Sequence, residues 1–455
     1  MTRHVPALVV GGGISGLVCV YTLRKFGLDA EIIEASPRPG GAIQSIRRDS
    51  FLLELGPQSF SSAPALMDLC HELGLDNQIL PAPRAPRFVL LNGALRPAPL
   101  SPQAFFASSF FSMKTKWSVL RDVFGRSVPP ATEESVAAFV RRKLTPELLE
   151  KLVGPFVSGI YAGDPEKLSL RAAFPQLYDA ESQAGSIVRG MVRRGKEVKQ
   201  TDRPRRTVFT FRDGNETLIR TLAAKIGPAL RTNVRATRIA RREDASVEVH
   251  FESDGHAEIV STKTLILATP TNVAGKLLAR LDYSFESLLK SVEYAPVAVV
   301  SLGYRRSEIS HSLNGFGFLI PLSAGLRVLG TVWNSSLFPG RTPDGHVLMT
   351  SFVGGVSDPT AVELSPAKLA NLVHNQISPL LSASGSPAFS NVTVWPRAIP
   401  QYNLGHLDRL AAVTKLLQNY PGIYLAGNYL RGPAVGSCVE QATSVAEEVH
   451  KSLQS

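Results

Sequence analysis

Six residues near the start of the chain, Gly11-Gly12-Gly13-Ile14-Ser15-Gly16, restrict its fold more than any other feature. They put glycine at the three positions of the pattern G-x-G-x-x-G. An apolar stretch before them, Ala7–Val10, reads as a strand; Leu17–Phe26 after them reads as a helix, with Gly27 as its stop. A second strand, Ala30–Ile33, ends at Glu34, so the opening is a βαβ unit. Gly11 permits a tight turn, Gly13 lets the backbone approach a pyrophosphate, and Gly16 lets helix pack on strand. The helix N-terminus presents unpaired amides to the phosphates. Glu34, about 20 residues on, suits ribose hydroxyls and disfavours a 2′-phosphate, so NADP is not expected. The strand–turn–helix context and the carboxylate favour a dinucleotide site over a purely structural turn.

A chain of 455 residues exceeds one simple core and points to two or three domains. The net charge of +11 favours polyanions: nucleic acid, anionic lipid or an acidic small molecule. The cations are scattered or lie in short runs, such as Arg141–Arg142–Lys143 and Arg203–Pro204–Arg205–Arg206, with no recognition motif, so nucleic acid is not expected. Cys19, Cys70 and Cys438 are odd in number and widely spaced. They read as reduced thiols in a cytosolic setting rather than a disulfide framework or a zinc site. No His/Cys cluster has metal-ligand spacing, and no metal is expected. The N-terminus lacks the parts of a signal peptide, and no apolar run reaches the roughly 18 residues of a membrane span. A peripheral membrane contact stays open.

Prolines between Pro81 and Pro102 predict extended segments and turns. The stretch from Phe105 to Gly195 reads as mostly helical, with start signals at Thr132 and at Thr145-Pro146. Lys196–Arg206 reads as a polar loop or boundary, Thr207–Phe211 as a strand, Gly214–Leu222 as a helix, and Val247–Phe251 and Leu265–Leu267 as strands. Gly422–Val449 reads as strand, glycine-rich turn and helix. Dinucleotide-type elements at both ends and near the middle predict one domain assembled from separated segments, with others inserted into it.

Several motifs resemble known flavoproteins. Glu34-Ala-Ser-Pro-Arg38-Pro-Gly40-Gly41 resembles the E-x-x-x-R-x-G-G element of the monoamine oxidase type, in which Arg38 can pair with a phosphate. Leu425-Ala426-Gly427-Asn428 and Gly432-Pro433-Ala434-Val435-Gly436 resemble the second FAD signature of that superfamily. Gly56-Pro57-Gln58-Ser59-Phe60, Phe156–Ser169, Asn314–Pro321 and Trp395–Tyr402 are similar to four elements of the oxygen-dependent, FAD-containing protoporphyrinogen oxidase family. The resemblance runs from Val9 to about Val449. It departs at Ala42, where the family often has a bulky or basic residue, and at Asp213-Gly214, where it has two glycines.

The resemblance implies an α/β plus α+β fold: a Rossmann-type FAD domain from 1–62, 225–278 and 405–455, a substrate domain from 63–96, 204–224 and 279–404, and a mainly helical membrane-binding domain from 97–203. Non-covalent FAD would be held by Gly11, Gly12, Gly13, Ile14, Ser15, Gly16, Glu34, Arg38, Gly40, Gly41, Ala42, Gly56, Pro57, Gln58, Ser59, Val234, Gly427, Asn428, Pro433, Ala434 and Val435. Arg87 would pair with a substrate propionate, and Phe316, Gly317 and Leu319 would line an apolar slot. The implied reaction is oxidation of protoporphyrinogen IX to protoporphyrin IX, six electrons in three flavin cycles, with oxygen as acceptor and no side chain named as general base. Coproporphyrinogen III is the open alternative; an amine oxidase or carotenoid desaturase on the same scaffold is a further one. Phe105, Phe106, Phe110, Phe111 and Trp117 beside Lys114, Lys116 and Arg121 suit an interfacial surface or an ordinary core. The implied location is cytoplasmic, with a peripheral place on the inner face of the cell membrane; a homodimer stays open.

Overall fold

The computed structural model describes residues 3–200, 207–253 and 255–454. Strand β1 (Arg3–Val10), helix α1 (Ile14–Lys25) and strand β2 (Ala30–Ile33) open the chain. β1 pairs in parallel with β2 on one side and with the long strand His256–Leu267 on the other. Leu230–Arg231 extends the sheet beyond β2. Ile423–Leu425 pairs in parallel with the end of His256–Leu267, and the remainder of that edge carries the antiparallel hairpin Val234–Arg241 and Val247–Ser253. This seven-stranded sheet therefore draws its strands from widely separated parts of the sequence.

Both faces of the sheet are covered, which is why β1 is apolar throughout its second half. Ala7 and Val9 meet Leu17 and Val18 of α1, Leu218 and Leu222, and Val439 and Ala446 of the C-terminal helix Val435–Gln454. Leu8 and Val10 meet Ala274, Leu277, Phe285 and Val413 on the opposite face.

A second seven-stranded sheet runs in the order Phe389–Pro400, Tyr294–Arg305, His346–Gly354, Val328–Val332, Gly317–Leu319, Arg87–Leu91, Ala94–Pro97. The helix Pro366–Leu381 buries Leu369, Val373 and Ile377 against Ala298, Val300 and Leu302 on one face. Val297, Val299 and Leu329 point to the other, where Ala162, Phe352 and Trp395 join them. Between Pro102 and Gln200 the described elements are helices around a core of Phe110, Phe111, Phe139, Tyr161 and Leu170.

Several local expectations move. The helix predicted from Thr132 begins at Val136, capped by the Ser135 hydroxyl, which accepts from the Ala138 amide. Lys196–Gln200, expected as loop, continues the helix Ile187–Gln200; Thr201–Arg206 lie outside the described residues. The helix expected from Gly214 starts at Glu216. The proline-rich stretch keeps its expected extended segments and turn, as the hairpin Arg87–Leu91 and Ala94–Pro97, because its prolines fall at strand ends and in the loop before it.

Candidate functional site

The glycine turn joins β1 to α1 and is shaped by close backbone approaches. A Cβ on Gly16 would lie 1.9 Å from the Gly11 carbonyl oxygen, and one on Gly11 would lie 2.5 Å from that of Ala268. Gly13 differs, since a Cβ there meets no described atom within 4 Å. It faces open space at the start of α1, whose first turn has no side-chain cap. Beside Gly11, the buried hydroxyl of Thr269 has no partner among the described residues. Open space, uncapped amides and an orphan hydroxyl in one place fit a pyrophosphate.

Glu34 stands at the end of β2, where its carboxylate accepts from the Gly12 amide at 2.6 Å, the Ser36 amide at 2.8 Å and the Ser36 hydroxyl at 2.6 Å. Its main chain is pinned by the Val234 amide, which donates to Glu34 O at 2.9 Å. The Gly40 amide donates to Gly12 O at 2.7 Å, which lays the 38–43 loop against the glycine turn and brings Gly41 opposite Gly13. Arg38 donates to the carbonyls of Pro39, Gly41 and Ile43 and lies 3.9 Å from Glu216. Arg38 thus staples its own loop beside the glycine turn. Gly56 is obligatory for a further contact: a Cβ there would sit 2.0 Å from Ala42 O. Ala42 itself is exposed. At the other departure, Asp213 is exposed while Gly214 passes within 2.4 Å of Ser45 if given a Cβ, so the glycine that packing requires is retained.

The Gly56–Ser59 loop is held by side chains from three directions. Gln58 donates to the carbonyls of Glu54 and Gly56 and accepts from Asn334 at 2.8 Å. Asn215 donates to Pro57 O at 2.8 Å, and Trp395 donates to Leu55 O at 2.7 Å. Beneath the loop lies an ion pair that sequence reading missed: Glu54 and Arg341, 2.7 Å apart and each 2% exposed. Arg341 also donates to Thr210, and Ser45 to Glu54. Burial pushes the Glu54 carboxyl up against the opposing charge of Arg341. Isolated charged residues in a sequence look like surface, and nothing local marked this pair.

At the C-terminal end, Ala426 donates to Leu267 O at 3.0 Å and carries the chain off the sheet into the turn of Gly427 and Asn428. Gly432, Pro433 and Ala434 follow, and the helix starting at Val435 packs so tightly that a Cβ on Gly436 would be 2.6 Å from that of Ala63.

The four residues expected to form the slot come together from distant parts of the chain. Arg87–Val89 pairs in parallel with Gly317–Leu319, which sets Arg87 opposite Gly317. The Arg87 guanidinium lies 4.7 Å from the centre of the Phe316 ring. No described carboxylate pairs with it, and loss of water on its inner side holds its pKa below the ordinary value although its outer side is open. Gly317, at φ +135°, lies where a Cβ would be 2.0 Å from Thr331 O, so no other residue fits. Leu319 packs towards Gly159 and Gly330, whose missing side chains make its room. The result is a cation stacked on a half-buried ring where two paired strands begin.

The aromatic helical stretch divides. Phe110 and Phe111 are core, and Phe105 is partly buried against them, so of the two readings these three take the core one. Trp117 is 65% exposed and Phe106 38%, joined by Met113 and Phe124.

The glycine turn, the carboxylate-capped second strand, the Gly56–Ser59 loop and the C-terminal turn define a flavoprotein oxidoreductase. The sequence matches the flavin containing amine oxidoreductase family over residues 14–450, and the chain belongs to that family. It is 35% identical to the chloroplastic protoporphyrinogen oxidase of Nicotiana tabacum, across 98% of this chain and 85% of that one. It is 28% identical to the coproporphyrinogen III oxidase of Bacillus subtilis (strain 168), across 98% and 97%. A crystal structure from Exiguobacterium sp. 255-15, provisionally named a protoporphyrinogen oxidase, superposes with a TM-score of 0.82 at 25% identity over 99% of both chains.

Proposed function

We propose that the chain binds FAD non-covalently and oxidises protoporphyrinogen IX to protoporphyrin IX, with oxygen as the final acceptor. Bound FAD would supply the redox chemistry, taking hydride from the macrocycle in three successive two-electron rounds. The residues of this chain bind and orient. The glycine turn and α1 receive the pyrophosphate, Glu34 the ribose, and the Gly56–Ser59 and Gly427–Val435 turns flank the flavin. Phe316, Gly317 and Leu319 form the wall of the slot.

The observation that carries the substrate reading is Arg87, a partly desolvated cation with no carboxylate partner among the described residues, stacked on Phe316 beside that wall. Such a group suits one propionate of an apolar macrocycle. Coproporphyrinogen III, with four propionates rather than two, asks for more cations and is the second reading, motivated by the Bacillus relative. The names of the relatives support both.

Contact with a membrane would be peripheral. Trp117, Met113 and Phe124 project beside Lys114 and Arg121 from the helix Met113–Phe124. Among the described residues no helix is long and apolar enough to span a bilayer.

Anaerobic mixing of the purified holoprotein with each porphyrinogen tests the proposal. Protoporphyrinogen IX should bleach the flavin faster than coproporphyrinogen III does. The reverse order establishes the second reading, and bleaching by neither refutes both.

A further inference from the structure

The segment Gln401–His406 leaves the strand Phe389–Pro400 and touches three parts of the molecule. Towards the helical stretch, Gln401 Nε2 donates to Tyr161 O at 2.8 Å, Ser169 N donates to Tyr402 O at 2.8 Å, and Leu404 N donates to Lys167 O at 2.9 Å. Towards the second sheet, Gln401 N donates to Glu293 O at 2.8 Å. Towards the C-terminal turn, two side chains reach consecutive carbonyls: Tyr402 Oη donates to Asn428 O at 2.5 Å, and His406 Nε2 donates to Tyr429 O at 2.9 Å.

The two rings stack with centroids 4.3 Å apart and planes 12° from parallel. Both residues are buried, at 1% and 0% exposure. Because a carbonyl oxygen can only accept, the His406 proton must sit on Nε2. Burial holds the imidazole pKa down at about 4, so the ring is neutral at physiological pH and keeps that tautomer. Purely apolar residues would fill the same space but leave the Asn428 and Tyr429 carbonyls without these donors. The polar ends are instead spent on two adjacent peptides of one turn. That turn is braced again by Gln441, which accepts from the Gly427 amide at 3.3 Å.

We propose that Tyr402 and His406 are positioning residues, whose stacked rings fix the Asn428 and Tyr429 peptides and so set the turn against the flavin end of FAD. The inference rests on the assignment of FAD to that turn. It also gives the helical stretch a route to the flavin, since the same segment is hydrogen-bonded to Tyr161, Lys167 and Ser169.

The test uses the full-length holoprotein and the variants Tyr402→Phe, His406→Phe and His406→Gln. FAD affinity on reconstitution, the visible flavin spectrum, the flavin midpoint potential and the thermal midpoint of the apoprotein are measured for each. Tyr402→Phe keeps the ring and its stack, so the apoprotein should still fold, with its thermal midpoint lowered only by the loss of one hydrogen bond. FAD should bind roughly three- to tenfold more weakly, as for loss of one net hydrogen bond, with a shifted spectrum and potential. His406→Phe should bind more weakly again, because it leaves a buried carbonyl unpaired. His406→Gln should recover part of the loss, because its amide can donate to Tyr429 O. If the thermal midpoint alone falls while affinity, spectrum and potential match the parent, the two residues are structural and the proposal fails. Should His406→Phe not fold, Tyr402→Phe decides alone. A parent protein that binds no flavin at all would instead overturn the FAD assignment.

Discussion

The glycine turn and the proposed Arg87–Phe316 slot are built by opposite means. The turn is a backbone object: its residues are neighbours in sequence, and its shape follows from where a Cβ can and cannot go. Gly16 and Gly11 are closed to any side chain, while Gly13 opens on empty space. The slot is a side-chain object. Its cation starts one strand and its aromatic ring stands just before another, joined by the parallel pairing of Arg87–Val89 with Gly317–Leu319 and by the Phe316 amide, which donates to Pro86 O at 2.8 Å. A backbone site should therefore fail completely when one glycine is changed. A side-chain site should fail by degrees.

The largest effect expected is in the turn, and a pair of variants sharpens it. Gly13→Val should fold and keep the parent thermal midpoint as apoprotein, yet carry no FAD, because its side chain fills the space assigned to the pyrophosphate. Gly16→Ala should lose about 3 kcal/mol of stability or more, because its Cβ collides with the Gly11 carbonyl. Thermal melts with and without added FAD separate the two. A yellow, stable Gly13→Val would make the turn a structural device only.

A smaller loss is expected in the slot. Arg87→Ala should leave FAD bound and raise the Michaelis constant for protoporphyrinogen IX roughly ten- to a hundredfold, as for a lost charge-assisted hydrogen bond. Phe316→Ala should act on the turnover rate instead, since the macrocycle loses the wall that orients it. Single-turnover flavin reduction distinguishes the two. Parent-like kinetics for Arg87→Ala at low substrate would place this arginine outside the site.

The smallest effect on the folded protein belongs to the exposed face. Trp117→Ser combined with Phe124→Ser should change stability by no more than about 0.5 kcal/mol per site. It should nevertheless release the protein from anionic vesicles, and high salt should do the same to the parent. Unchanged sedimentation with vesicles would remove the membrane reading.

Much of the fold was legible because its signals are local. The apolar run of β1, the glycines after it and the second strand ending at Glu34 each follow from short-range sterics and alternation. Errors fell where a local signal had a close competitor. Thr132 and Ser135 are both good helix caps, and packing of Val136 and Phe139 into the helical core chose Ser135. The polar composition of Lys196–Gln200 suggested loop, yet these residues continue a helix already begun at Ile187.

By itself the sequence determined the dinucleotide-type turn and the motifs that flank it, because a close backbone approach admits only glycine and leaves its mark on consecutive residues. Tertiary structure alone decided three other things: that Phe110 and Phe111 are core while Trp117 and Phe124 face out, that Glu54 is buried with Arg341, and that His406 reaches the Tyr429 carbonyl. Burial and pairing depend on which distant segments meet, and an aromatic, a charge or a histidine looks the same in a sequence whichever way that meeting goes.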